Sequence, residues 1–271
     1  MTITQPSNAK INLGLYVTER RPDGFHNLET VFFPVRCADF IEITPSDELF
    51  FESYNRSIPG EPLDNLCVKA YQLLQTDFDL PPVSIRLLKN LPIGAGMGGG
   101  SSNGTFTLIA LDKLFGLSLS ADKLKKYAAQ LGSDCPFFIE NKPILAKGTG
   151  DVFDEIALDL SGHQIVLIYP NLHINTGKAF SKISPKEPEH SLRETLTKPI
   201  VDWKKYLFND FESAIFPDNP VLSNIKKRLY DAGALYASMS GSGSTIFGIF
   251  KGKKNIKLSF DANFWQYKFV V

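Results

Sequence analysis

Sulfur and tryptophan are scarce in this chain: 271 residues hold three cysteines, three methionines and two tryptophans. Cys37, Cys67 and Cys135 are odd in number and far apart, with no C-x-x-C pair. That excludes a disulfide framework and a zinc ribbon, and it fits reduced, partly buried thiols. Net charge is lacking as well, since Lys+Arg and Asp+Glu both total 29. A protein that neutralises several nucleic-acid phosphates shows a basic surplus, so no nucleic-acid partner is expected. The local run Lys251-Gly252-Lys253-Lys254 reads as a solvated turn near a strand end. Residues Met1 to Lys10 have no apolar core like that of a secretory leader. No apolar run approaches the about 20 residues of a membrane span. The expectation is a cytoplasmic protein without a membrane partner, as a monomer or homodimer.

What the chain does contain is ordinary for a globular protein: 43% hydrophobic and 21% charged residues. The length suits one large domain or two modest ones. Ala9, Ile11, Leu13, Leu15 and Val17 alternate with Lys10, Asn12, Gly14 and Tyr16, which predicts a strand with one apolar face. Its other face carries an amine and an amide two residues apart. Arg21-Pro22-Asp23-Gly24 is a turn signal. Further strands are predicted over Glu29–Val35, Phe40–Thr44, Val83–Leu88, Ile165–Tyr169, Leu235–Met239, Thr245–Phe250 and Tyr267–Val271. Asp64 caps a predicted helix over Asn65–Leu74. Another helix runs from Ser101 to Gly116, a third from its cap Ser120 to Gly132, and a fourth over Val221–Asp231. Pro185–Pro199 is polar and proline-bearing and reads as a surface excursion. Strands and helices interleave, so the fold class is α/β (α+β). A change of character after Ile144–Gly150 places a domain division near residue 155, giving segments 1–155 and 156–271.

The strongest chemical signal is Leu91-Pro92-Ile93-Gly94-Ala95-Gly96-Met97-Gly98-Gly99-Gly100-Ser101-Ser102-Asn103. Glycine lets successive backbone N–H groups approach an anion without hindrance from Cβ. The helix that follows adds about half a positive charge at its N-terminus, so the segment reads as a phosphate cradle. Gly94-x-Gly96-x-x-Gly99 formally matches a dinucleotide fingerprint, but the acidic residue near the required spacing, Asp112, falls inside the predicted helix. A Walker loop needs Lys before Ser or Thr, and Gly100 precedes Ser101. The protein-kinase catalytic-loop His-Arg-Asp is absent.

Three segments together resemble the motifs of the GHMP kinase superfamily. Pro92 to Ser102 resembles its second motif, which wraps the ATP phosphates. Ala9-Lys10-Ile11-Asn12-Leu13 is similar to the first. Ser238-Met239-Ser240-Gly241-Ser242-Gly243-Ser244-Thr245-Ile246-Phe247 is similar to the third. They occur in family order across nearly the whole chain. The resemblance implies two α/β lobes with the active site in the interdomain cleft, most of the ATP site in the N-terminal lobe and part of the substrate wall in the C-terminal one. Arg21 to Thr30, the Gly-Gly-Gly-Ser-Ser-Asn ending and Leu131-Gly132-Ser133-Asp134-Cys135-Pro136-Phe137-Phe138 resemble the branch whose substrate is a cytidyl-bearing branched polyol. ATP phosphorylates the 2-hydroxyl of that polyol in non-mevalonate isoprenoid synthesis. Two departures from the pattern are Phe25, where Tyr is common, and Ser133, where a small residue, often Ala, is usual.

The resemblance gives each candidate residue a role beside its ordinary reading. Asp134 takes the proton of the attacking hydroxyl; as a bare acid before Pro136 it reads equally as a helix cap. Lys10 holds Asp134 as an anion and offsets charge on the reacting groups; an exposed strand lysine is the ordinary alternative. Phe25 and His26 recognise the plane and edge of a cytosine, with Phe180 on the base's opposite face. Without the resemblance, Phe25 belongs in the core and His26 on the surface. Asn65 and Lys89 neighbour the adenine, or are plain surface polar residues. Pro92, Gly94, Gly96, Gly98, Gly99 and Gly100 form the ATP loop. Ser101 and Ser102 donate to phosphates or approach Mg²⁺, or cap the helix. Asn12, Ser240 and Gly241 line the substrate, the Ser240–Ser244 turn otherwise being a glycine-bearing hairpin. Mg²⁺ accompanies ATP, although no carboxylate cluster identifies metal ligands. Two other readings stand beside this one. Another kinase of the superfamily, of homoserine or mevalonate type, would want cationic side chains for a small acid. A nucleotide-binding protein without turnover would bind ATP and transfer nothing.

Overall fold

In a computed structural model, residues 1–252, 256 and 258–271 are described; Lys253 and Lys254 of the basic run lie outside the described residues. The alternating segment at the start belongs to β1 (Ile3–Arg20), which pairs with β2 (His26–Pro45). From Ala9 to Val17 every residue of β1 is buried, so the polar face is as enclosed as the apolar one. The Arg21–Gly24 turn joins the strands: the amide of Gly24 donates to the carbonyl of Arg21 at 3.1 Å, and the amide of Arg21 to that of Phe25 at 2.9 Å. The two strands expected over Glu29–Val35 and Phe40–Thr44 are one continuous β2. Its inward phase at Cys37, Asp39, Ile41 and Ile43 carries the pleat through the polar stretch.

Two compact units are interleaved along the sequence. One holds Met1–Lys10, Pro34–Ile93 and Gly98–Lys142; the other holds Ile11–Phe33, Gly94–Met97 and Pro143–Val271. They therefore alternate along the chain, whereas the division expected near residue 155 is a single cut.

The first unit adds β3 (Phe50–Tyr54), α1 (Leu66–Phe78), β4 (Val83–Leu88), α2 (Gly99–Phe115), α3 (Ala121–Leu131) and α4 (Phe137–Glu140). β4 runs antiparallel to the end of β2, Phe40 opposite Leu88 and Pro45 opposite Val83, and parallel to β3. Val83, Ile85 and Leu87 are fully buried, the period-2 signature of one core-facing side. α1, α2 and α3 pack on one another. α1 buries Cys67, Val68, Tyr71 and Leu74 at helical spacing. Its cap is Asn65, whose Oδ1 accepts from the amide of Cys67 at 2.9 Å. Asp64, expected in that place, ends a 3-10 turn over Pro62–Asp64. Ser120 and Gly132 bound α3 as expected.

The second unit adds β5 (Ile144–Lys147), β6 (Val152–Glu155), β7 (His163–Tyr169), α5 (Thr176–Phe180), α6 (Leu192–Leu196), α7 (Ile200–Tyr206), α8 (Asp210–Ile215), α9 (Pro220–Asp231), β8 (Tyr236–Met239), β9 (Ile246–Lys251) and β10 (Trp265–Val270). β10, β7, β9 and β8 form an antiparallel sheet in that order. α9 lays Leu222, Ile225 and Leu229 against it, in one core with Leu15, Val17, Val166, Ile168, Met239, Ile246 and Phe250. The Pro185–Pro199 segment is not wholly a surface excursion. It contains α6, whose Leu192 and Leu196, four residues apart, are buried.

Candidate functional site

In the first unit, Gly98 opens α2 in the left-handed region, φ 65° and ψ 19°. Glycine adopts that conformation without the Cβ strain that most L-residues meet there. A Cβ there would stand 3.1 Å from Cε and Cγ of Lys10 and 3.2 Å from Cζ of Phe138. The Lys10 side chain thus lies along the helix start, and its Nζ ends 3.2 Å from Oδ2 of Asp134. Lys10 is buried and Asp134 is one-third exposed. An exposed strand lysine is excluded.

Asp134 stands in the turn between α3 and α4, where the amide of Cys135 donates to the carbonyl of Gly132. That turn hangs on α2 through Thr105, whose Oγ1 donates to the carbonyl of Cys135 at 2.9 Å. The thiol of Cys135, hydrogen-bonded with Ser101 and Thr105, is pushed up to about 11 by burial. Asp134 caps nothing: the residue before α4 is Pro136, and no side chain caps that helix. An ammonium, a carboxylate open to solvent and a helix N-terminus therefore share one place.

Ser102 differs from the expectation of a phosphate-facing hydroxyl. It is fully buried, its Oγ donates to the carbonyl of Asn8 at 2.6 Å, and its amide donates to the carbonyl of Gly98 at 2.9 Å. Ser101 is half-buried and Gly100 exposed. Lys89 is no surface residue either: it is 3% exposed, and its ammonium bonds to Asp39 and to Oδ1 of Asn103. Asn65 spends its side-chain oxygen on capping α1. Pro92 is buried at the head of the loop.

In the second unit, Gly94 and Gly96 have φ of 63° and 75°. A Cβ on Gly96 would stand 2.1 Å from the carbonyl oxygen of Ser240 and 2.9 Å from that of Gly243. Ser240 donates its hydroxyl to the carbonyl of Gly96 at 2.7 Å and accepts from the amide of Asn12 at 3.2 Å. A Cβ on Gly241 would lie 3.4 Å from Oδ1 of Asn12, whose Nδ2 donates to Thr30 at 3.0 Å. Asn12, Gly96, Ser240 and Gly241 are thus brought together, and the Ser240 turn is more than a hairpin end.

His26 stacks on Phe180, ring centroids 4.8 Å apart and planes 15° apart, with Phe211 edge-on behind Phe180. Burial, then the charge of Arg20, lowers the His26 pKa from 6.5, so the ring is neutral at neutral pH. Phe25 is 66% exposed, which excludes a core role. His26 and Phe180 meet each other, while Phe25 stands apart as an open aromatic face.

Sequence reasoning missed Asp39, Asn103, Ser7 and His173. Asp39 carried a signal, since it occupies the inward phase of β2 between Cys37 and Ile41. Asn103 closes the glycine run. His173 packs on Gly94, where a Cβ would come within 2.6 Å of Nδ1; its position had no sequence signal.

The comparisons with known proteins agree in direction. The family model for the GHMP kinases N terminal domain matches residues 65–142, and that for the GHMP kinases C terminal matches 191–263. The 4-diphosphocytidyl-2-C-methyl-D-erythritol kinase of Bacteroides fragilis is 51% identical over 97% of both chains. That of Chlorobium limicola is 38% identical over 94% of this chain and 91% of its own. A solved 4-(cytidine 5'-diphospho)-2C-methyl-D-erythritol kinase superposes with a TM-score of 0.77 at 31% identity, covering 92% of this chain and 91% of that one. Homoserine kinase from Cytophaga hutchinsonii, at TM-score 0.64 and 17% identity over 99% of this chain and 94% of its own, shares the fold.

Proposed function

Because the chain belongs to the GHMP kinase family and is therefore an ATP-using small-molecule kinase, we propose that it phosphorylates the 2-hydroxyl of 4-diphosphocytidyl-2-C-methyl-D-erythritol, a step of isoprenoid biosynthesis. The observation that carries the chemistry is the 3.2 Å contact of Lys10 with Asp134 beside Gly98. Asp134 accepts the proton of the substrate hydroxyl as that oxygen attacks the γ-phosphorus. Lys10 keeps the carboxylate oriented and offsets charge on the oxygens in flight. The amides of Gly98 to Ser101 and the start of α2 take the phosphates, and Asn65 and Pro92 serve the nucleotide. The absence of Cβ at Gly98, where one would meet Lys10, supports that cradle. Family lobes divided near residue 155 belong to the same proposal.

Among the described residues no group of three or more His, Cys, Asp or Glu could hold a metal. A Mg²⁺ accompanying ATP would be carried mainly by phosphate oxygens, with the Ser101 hydroxyl as a protein oxygen. Such an ion neutralises phosphoryl charge. The neutral ring of His26 offers one donor and one acceptor to a cytosine edge, Phe25 offers an open face, Phe180 backs the His26 ring, and the buried Asn12, Ser240 and Gly241 shape the wall for the polyol. Among the described residues no helix is long and apolar enough to cross a membrane.

A coupled assay of ADP release tests the reading, with the cytidyl substrate set against homoserine and mevalonate. Turnover is expected with the first alone; equal turnover of homoserine would refute the substrate assignment.

A further inference from the structure

Asp39 lies on β2 with no exposed surface, and four donors surround its carboxylate. Oδ1 accepts from the amides of Asn90 and Leu91, each at 2.7 Å. Oδ2 accepts from the ammonium of Lys89 and from Nδ2 of Asn103, the latter at 2.9 Å. A carboxylate offers about four lone-pair directions, and all are filled. The donors come from two places: Lys89, Asn90 and Leu91 directly follow β4, and Asn103 sits in the second turn of α2. Between Leu91 and Asn103 lies the whole glycine loop. One carboxylate therefore clamps the chain immediately before the loop and immediately after it.

The clamp continues inward with a fixed sense of hydrogen bonding. Asn103 donates from Nδ2 to Oγ of Ser7 at 2.9 Å. Because Ser102 gives its own proton to the carbonyl of Asn8, the 2.8 Å contact of Ser7 with Ser102 has Ser7 as donor. The chain of bonds thus ends on the last serine of the loop. Lys89 also explains a glycine: a Cβ on Gly99 would stand 3.2 Å from its Nζ.

Burying such a pair is costly, and an apolar pair of similar volume often serves stability as well. Glycine-rich loops are the most freely moving of segments, and an anion site gains affinity when its amides are held in place beforehand. We propose that Asp39 is a positioning residue of the phosphate loop: with Lys89, Asn103 and Ser7 it fixes both ends of residues 92–102 so that the loop amides face a triphosphate. The inference rests on the ATP reading above. It moves Lys89 from a contact with the base to a support of the loop.

Calorimetric titration of the full chain with the β,γ-imido analogue of ATP, and separately with adenosine, tests it. Asp39→Asn keeps the shape and an acceptor for the two amides, but it turns an NH₂ toward Lys89 and Asn103. The expected result is a dissociation constant for the analogue raised about ten- to a hundredfold, with adenosine within about twofold of wild type. An unchanged analogue affinity overturns the proposal. Equal weakening of both ligands overturns it too, because a general loosening of the fold or a contact with the base would do that. Should Asp39→Asn fail to fold, Ser7→Ala removes only the outermost link; weaker analogue binding with unchanged adenosine supports the clamp, and no difference sinks it. Wild-type protein that binds the analogue but never phosphorylates the cytidyl alcohol would remove the substrate assignment and leave the Asp39 comparison decidable. Wild-type protein that binds neither nucleotide overturns both.

Discussion

Alanine at Gly98 and alanine at Gly100 should have opposite effects on stability, although the two positions are two residues apart. At Gly98 the backbone is left-handed at φ 65°, which costs an L-residue about 1–2 kcal/mol. The new methyl would also press on Lys10 at 3.1 Å and Phe138 at 3.2 Å, tighter than ordinary contact. Overpacking of that kind adds roughly 1 kcal/mol or more. Since Lys10 is buried along this surface, relief comes from shifting its side chain off the 3.2 Å contact with Asp134. Misplacing a reacting group by a few tenths of an ångström is costly, so turnover should fall severalfold to about tenfold. Gly100 is helical and exposed, and its methyl would meet only Leu66 Cδ1 at 4.0 Å. There alanine should stabilise by roughly 0.5–1 kcal/mol, yet weaken ATP if a phosphate approaches that amide. Urea unfolding measures the first quantity, and ADP release against ATP concentration measures the second. Gly98→Ala with turnover within about twofold of wild type, or Gly100→Ala as the less stable of the two, would refute the reasoning.

Other expectations follow from charge and burial. The pKa of His26 lies below 6.5 because burial, and then Arg20, disfavour the imidazolium. Base recognition should therefore be flat from pH 8 to 7, and the Michaelis constant for the cytidyl substrate should rise only below 6.5. The same shift makes the fold lose stability as pH falls below that value, since the unfolded ring binds its proton first; a constant melting temperature down to pH 5 would contradict this. Glu140 ties α4 to α3 through Lys125, and its carboxyl is held down to about 2 by Lys125, then Lys142. That contribution is fully present above the ordinary 4.5 and is lost as pH falls toward about 2. It should vanish in Glu140→Gln, whose melting curve would be less sensitive to acid. Burial pushes the thiols of Cys37, Cys67 and Cys135 up to about 12, 11 and 11. An aromatic disulfide reagent should leave them unmodified in the native protein at neutral pH and titrate all three after denaturation.

Where one residue pattern fixes one structure, the sequence was legible. The alternation of β1, the limits of β4 and the span of α3 between Ser120 and Gly132 all follow from periodicity and caps. The Asp64–Asn65 pair was not, because both side chains cap well and only tertiary packing chooses between them. Short elements such as β3 and α5 carry too few residues to display a period. In α6 the pair Leu192 and Leu196 was masked by the prolines around it. For the site, the glycine run announced an anion cradle by itself. The meeting of Lys10 with Asp134 depends on contacts across more than a hundred positions, so it was readable only through resemblance. No local rule foretold that His26 would lie on Phe180, or that Ser102 would turn inward while Asp39 holds the loop's ends.

Phosphoryl transfer by this site depends on Asp134 as the proton acceptor. Asp134→Asn preserves size and leaves the turn from Gly132 to Pro136 intact, so the variant should melt close to wild type and still bind ATP. Single-turnover transfer of the γ-phosphoryl group to the cytidyl alcohol, at saturating concentrations of both, should then slow about a hundred- to ten-thousandfold. A folded Asp134→Asn protein that transfers phosphate at the wild-type rate would contradict that role.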